Sequence, residues 1–166
     1  MFLARTVTRA KWIPKSEEAT GEIPADAVTG DLRTRDNALS FWQCGTGTTR
    51  DLENAVLAVA AGRERVDKVE IVWVDDQELR ADAQAMVHTD GRTPVTDLVG
   101  LHVDVYHLNY VRLGQVASRV VTAFDEGRYC RMTRARVREL LVLAVKEGRL
   151  KADDLHWKVR DQIQQG

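Results

Sequence analysis

The run Val69 to Val74, VEIVWV, constrains the fold more than any other stretch, because all but one of its residues are apolar and most are β-branched. It reads as a central strand buried on both faces. Upstream, Ala38 to Cys44, ALSFWQC, has aromatic-rich strand character, and DLENAVLAVAAGR between the two reads as a helix. That helix sets Leu52, Val56, Val59 and Ala60 on one stripe, with Thr48 or Thr49 to cap its start and Gly62 to end it. The strand, helix, strand order from Ala38 to Val74 predicts a right-handed crossover onto one sheet.

The flanking segments add to that sheet. Phe2 to Arg9 alternates Leu3 and Val7 with Arg5 and Arg9, the period of a half-buried strand, and Leu101 to His107 alternates in the same way. MVHTDGRTPV places Asp-Gly between two short extended runs, a hairpin signal in which Pro94 confines the second run to an edge. From Ile13 to Asn37, Pro14, Gly21, Pro24 and Gly30 punctuate a long loop with a short helical turn after Pro24. A short helix falls around Gln77 to Ala83.

Asn109 or the turn beside it opens a helix with Leu113, Val116, Ala117, Val120, Val121 and Phe124 inward, ended by Gly127. Thr133 caps another, striped by Val137, Leu140, Leu141, Ala144 and Val145 and closed by Gly148, and Asp153 or Asp154 starts a last one with Leu155, Val159 and Ile163 inward. The expectation is one α+β domain over residues 1–166. It has a small mixed sheet of about four to five strands, a crossover helix at 49–61, and three C-terminal helices on one side.

A charge split lies beneath a nearly neutral total. Residues 1–127 form an acidic body with 14 Lys/Arg against 20 Asp/Glu; residues 128–166 form a basic helical tail with 10 against 5, and the whole chain carries −1. Such asymmetry points to an anionic counterpart for the tail, either a partner or the chain's own body. Apolar residues at 44% and charged residues at 30% exclude a wholly disordered chain. The only cysteines, Cys44 and Cys130, are too far apart for a close metal-binding pair and too few for a disulfide scaffold, which fits a reducing compartment. No apolar run is long enough to span a bilayer, and the first residues turn polar too early for a secretory signal, so the expected location is cytoplasmic and off the membrane.

Arg128, Arg131, Arg134, Arg136 and Arg138 put five guanidinium groups within eleven residues. Arg131, Arg134 and Arg138 share one side if the helical register runs back past Thr133. Guanidinium groups stay charged and bind phosphate bidentately, so the cluster suits a nucleic acid, a nucleotide or an acidic protein surface, and Tyr129 beside it can stack on a base. Positive charge at a helix start opposes the helix dipole, which favours an anionic counterpart.

Gly45, Gly47 and Arg50 lie in a loop between a strand and a helix N-terminus, where free N–H groups hold anions, although the loop matches neither phosphate-binding motif, GxxxxGK[ST] or GxGxxG. Cys44 borders that turn, where a thiol can ionise early. IVWVDD ends a strand in paired carboxylates, a place where α/β proteins hold magnesium.

His102, Asp104 and Tyr106 share one face of their strand, and a His and a carboxylate two apart can serve in acid–base chemistry, with His88 the nearest third group. No metal set and no cofactor motif stands out. The leading expectation is a non-enzymatic binding or adaptor module of a cytoplasmic assembly, of bacterial type on size and composition alone, docking on a protein partner through the basic tail. Two alternatives stand beside it. One is a small enzyme on a phosphate-containing or nucleic-acid substrate, with His102 and Asp104 catalytic and the loop and arginines as anion holders; the other is direct nucleic-acid binding.

Overall fold

The computed structural model describes residues 1–13, 23–82 and 84–164. Six strands form one sheet: β1 (Phe2–Thr6), β2 (Leu39–Gln43), β3 (Val69–Asp75), β4 (Ala85–His88), β5 (His102–Tyr106) and β6 (Tyr129–Met132), in the order β4-β5-β2-β1-β3-β6. Seven helices surround it: α1 (Arg9–Trp12), α2 (Ala25–Asp31), α3 (Thr49–Ala61), α4 (Asp76–Ala81), α5 (Tyr110–Asp125), α6 (Arg134–Lys146) and α7 (Trp157–Gln164). The class is α+β, as expected from the sequence, and no helix of the described residues is long and apolar enough to cross a membrane.

The local signals act as read at α3, α5 and α6, but Asp153 and Asp154 sit in a separate 3₁₀ turn and α7 starts only at Trp157. Thr48 and Asp51 form a capping box at α3, Asn109 accepts from the Arg112 N–H at α5, and Thr133 accepts from the Arg136 N–H at α6. β3 is flanked by β1 and β6 and buried on both faces. The short helix after Pro24 is α2; of the loop expected from Ile13 to Asn37, residues 14–22 lie outside the described residues.

Pairing differs from expectation. β2 and β3 run parallel and are joined by α3, so the crossover exists, but β1 lies between them and pairs antiparallel with both. Every neighbouring pair is therefore antiparallel, and the sheet is not mixed. The Asp90-Gly91 turn does not make a hairpin either. β4 pairs directly with β5, and the segment between them folds back through a 3₁₀ turn at Thr96–Leu101. Gly91 packs so closely on Trp42 that a Cβ there would lie 2.3 Å from its ring.

The three C-terminal helices do not share one side. α6 and α7 join α3 on a face built around Val56, Ile71, Leu141 and Val159, whereas α5 packs on the opposite face with α1, α2 and α4, around Leu3, Phe41, Val74 and Val120. The cause is β6, a strand of Tyr129, Cys130, Arg131 and Met132 that pairs with β3 at the sheet edge and carries the chain from one face to the other. β6 thus adds the first residues of the basic tail to the sheet of the acidic body. α3, with the sheet on one side and α6 on the other, buries Leu57, Ala58 and Ala61 as well as its expected stripe, while Val59 stays partly exposed.

Candidate functional site

The charged tail is mostly answered from within. Arg128 is 11% exposed, with Nη2 2.6 Å from Glu126 and 3.5 Å from Glu78 and its guanidinium over the Phe2 ring. Arg131 lies 3.7 Å from the buried Glu70, and Arg136 pairs with Glu53 and, at 2.9 Å, with Glu139. Arg138 donates to the carbonyls of Gln162 and Ile163 at 2.6 and 3.3 Å, closing the end of α7. Arg131 sits on β6, on the other side of the Thr133 cap, so the shared helical side for Arg131, Arg134 and Arg138 does not form. Arg134 is exposed and has no acidic partner among the described residues.

The glycine loop also has an internal anion. The Asp51 carboxylate accepts from the N–H groups of Thr46 and Thr48, both at 3.2 Å. Bonds from Thr48 and Thr46 hold its carboxyl below the usual range despite partial burial. Gly45 adopts a φ of +50°, and a Cβ there would stand 2.9 Å from that carboxylate. The loop is thus shaped around Asp51. Arg50 is exposed and lines the groove between α3 and α6. Cys44 is no early-ionising thiol, because burial pushes its pKa up to about 12. Of the paired carboxylates, Asp75 caps α4 through the Gln77 N–H, and Asp76 is taken up by Arg80 and the Met1 amine.

At the other end of the sheet the polar groups turn toward each other. β2 and β5 have two unlike faces: Leu39, Phe41, Val103 and Val105 point into the core shared with α5, and Ser40, Trp42, His102 and Asp104 point to the other face, where Trp42 packs at the margin of the core under α3. The register sets Ser40 opposite Asp104 and Trp42 opposite His102. Thr89, just after β4, donates its backbone N–H to the His102 carbonyl at 3.2 Å, which brings its hydroxyl onto the same floor. There the Ser40 hydroxyl donates to Asp104 Oδ1 at 2.8 Å, and the Thr89 hydroxyl donates to Asp104 Oδ2 at 2.9 Å while lying 2.7 Å from His102 Nδ1. The Trp42 ring meets the His102 ring edge-on at 5.0 Å.

These residues floor an open cleft of about 610 Å³. Its rim is the Arg35–Ala38 turn on one side and Asp90 and Arg92 on the other. The turn is a two-residue reversal, with Asp36 and Asn37 both left-handed at φ of 54° and 58°, a conformation Asp and Asn tolerate. The His102 side chain is only 12% exposed, and burial, outweighing the nearby Asp104, pushes its pKa down, so the ring is neutral at pH 7. Nε2 lies 4.0 Å from Asp104 Oδ1 and makes no hydrogen bond among the described residues.

The site residues read from the sequence are therefore not gathered. β5 and β6 stand four strand positions apart, about 19 Å. None of Gly45, Gly47, Arg50 or the five arginines lines the cleft. His88 pairs with Val103 and projects to the other face, where it meets Gln43. Among the described residues no three His, Cys, Asp or Glu side chains are placed to hold a metal.

Thr89, Ser40 and Trp42 went unread as site residues. The alternation of LSFW marks Ser40 as facing away from the core, but its meeting with Asp104 depends on a register that only the folded sheet supplies. No protein family, no curated protein and no solved structure matches this chain.

Proposed function

We propose that the protein is a small enzyme that moves a proton on a ligand seated in the cleft, with His102 as general base. The observation that carries this reading is the convergence of Ser40, Thr89, His102 and Asp104, from three strand neighbourhoods, on one open floor where Nε2 of a neutral imidazole has no partner. Ser40 is not an activated nucleophile: its proton goes to Asp104, not to His102. The reaction class is accordingly acid–base, such as proton abstraction next to a carbonyl, without a covalent intermediate on serine.

The rim favours one kind of ligand. Arg35 and Arg92 suit a single carboxylate or phosphate group, while Asp36 and Asp90 cancel the net charge that a polyanion such as nucleic acid needs. The test is an NMR screen of small carboxylates and phosphate monoesters on the whole protein. Binding should shift the amides of Trp42, Thr89 and His102, and a turned-over ligand should lose rate in His102→Asn. Asparagine keeps a donor near the Nδ1 position and has nothing at Nε2. A screen in which no ligand moves these amides, or a reaction undiminished in the variant, overturns the proposal.

Docking through the tail keeps support as a second reading from Arg131 and Arg134 alone, which stand exposed at the edge strand β6 and its exit. Arg138 is no part of that surface, since its side chain holds the end of α7.

A further inference from the structure

One hydroxyl on the cleft floor stands between two polar groups. Thr89 Oγ1 lies 2.9 Å from Asp104 Oδ2 and 2.7 Å from His102 Nδ1. A hydroxyl has one proton to give and lone pairs to receive with, whereas a carboxylate can only receive. The Thr89 proton therefore goes to Asp104, and the contact with the ring is a hydrogen bond only if Nδ1 carries a proton. Asp104 Oδ1 already receives from Ser40, so both carboxylate oxygens are held by hydroxyls. Among the described residues nothing bonds to Nε2, and none seals it from solvent. The Thr89 hydroxyl is itself placed by the strand, through its backbone bond to the His102 carbonyl.

We infer that Thr89 is the positioning residue of this site: it holds neutral His102 as the Nδ1–H tautomer, turns the Nε2 lone pair to the cleft, and links the ring to Asp104 through its hydroxyl. Which ring nitrogen is protonated follows from the bond the other group makes. Here that bond selects against the Nε2–H form that an unconstrained histidine side chain favours. The use of this lone pair in a reaction rests on the proposed function; the tautomer is a property of the protein alone.

The experiment is nitrogen NMR of the histidine rings in the full-length protein without ligand, with His102→Asn to assign the signal. Above its titration, wild-type His102 should show a protonated Nδ1 and an unprotonated Nε2. Thr89→Val, which removes the hydroxyl at nearly constant shape, should move the signals toward the Nε2–H form and lower the titration midpoint by cutting the link to Asp104. Thr89→Ser should restore both. The other charged groups facing the cleft, Arg35, Asp36, Asp90 and Arg92, are the same in all three proteins.

A wild-type ring protonated at Nε2 overturns the inference even if Thr89→Val does not fold, and so does a folded Thr89→Val with wild-type ring signals. Failure of the ligand screen would remove the proposed enzyme and leave the tautomer standing. A wrong tautomer would remove the role of Thr89 and leave cleft binding intact.

Discussion

The arginine-rich edge and the His102 cleft lie at opposite ends of the sheet and use polar groups in opposite ways. At β6 and α6, charge is dense and mostly met: Glu78, Glu126, Glu70 and Glu53 from the rest of the chain take Arg128, Arg131 and Arg136. At β2 and β5 one carboxylate, Asp104, is held by two hydroxyls, and one ring nitrogen is left over beside open space. The density of charge marks where the chain is held together. A single unmatched acceptor in a cleft is the better sign of chemistry.

The largest effect expected is in the cleft. His102→Asn should cut turnover of any cleft substrate by about 100-fold or more. Its stability should change by about 1 to 2 kcal/mol, because the ring is largely covered by Trp42 and its neighbours yet lies outside the apolar core. A variant that unfolds, or one that retains full activity, would break the contrast between the two regions.

Arg128→Met should do the reverse. Removing a nearly buried guanidinium leaves Glu78 and Glu126 without their cation, and stability measured by urea unfolding should fall by about 2 kcal/mol while the cleft resonances stay in place. An unchanged unfolding midpoint would show that the tail's charge is not structural.

Acid should expose the cleft as well. Burial makes folded His102 hold its proton less tightly than the unfolded chain does, whose value is near 6.5. The unfolded state then binds more protons below that pH, so the contribution of this group is whole above about 6.5 and is lost as pH falls toward the lower folded value. Urea midpoints of the wild type should decline across that window more steeply than those of His102→Asn. Parallel curves would refute a buried neutral imidazole.

The smallest effect concerns Arg131 and Arg134. Both are exposed, so Arg131→Gln with Arg134→Gln should change stability by about 1 kcal/mol or less. Glutamine is the right replacement, because a glutamate at 131 would face the buried Glu70. A protein captured by the wild type and lost specifically from this double variant would establish the β6 edge as a docking surface after all.

Much of this fold was legible at short range. Thr48, Asn109 and Thr133 cap helices because a side-chain oxygen can reach N–H groups two or three residues on, and Gly127 and Gly148 end them because φ of +73° suits glycine. The strand in Val69–Asp75 followed from its apolar run. What was missed was short or distant. β6 has four residues, one of them arginine, too few for a period to show, yet it sends α5 and α6 to opposite faces.

The candidate site shows the same limit. His102 and Asp104 were visible as neighbours on one strand face, a fact of period-two geometry. Ser40 and Thr89 reach them across 64 and 15 residues, through the β2–β5 register and the exit from β4. By itself the sequence determined α3, α5 and α6 with their caps, the buried strand, the α+β class and the surplus of cations in the tail, because each depends on residues a few positions apart. Only the tertiary structure decided that β1 inserts between β2 and β3, that Arg128, Arg131 and Arg136 meet the chain's own carboxylates, and that a histidine keeps one nitrogen open to a cleft. Those outcomes depend on which distant strands become neighbours, and local propensity carries no information about that choice.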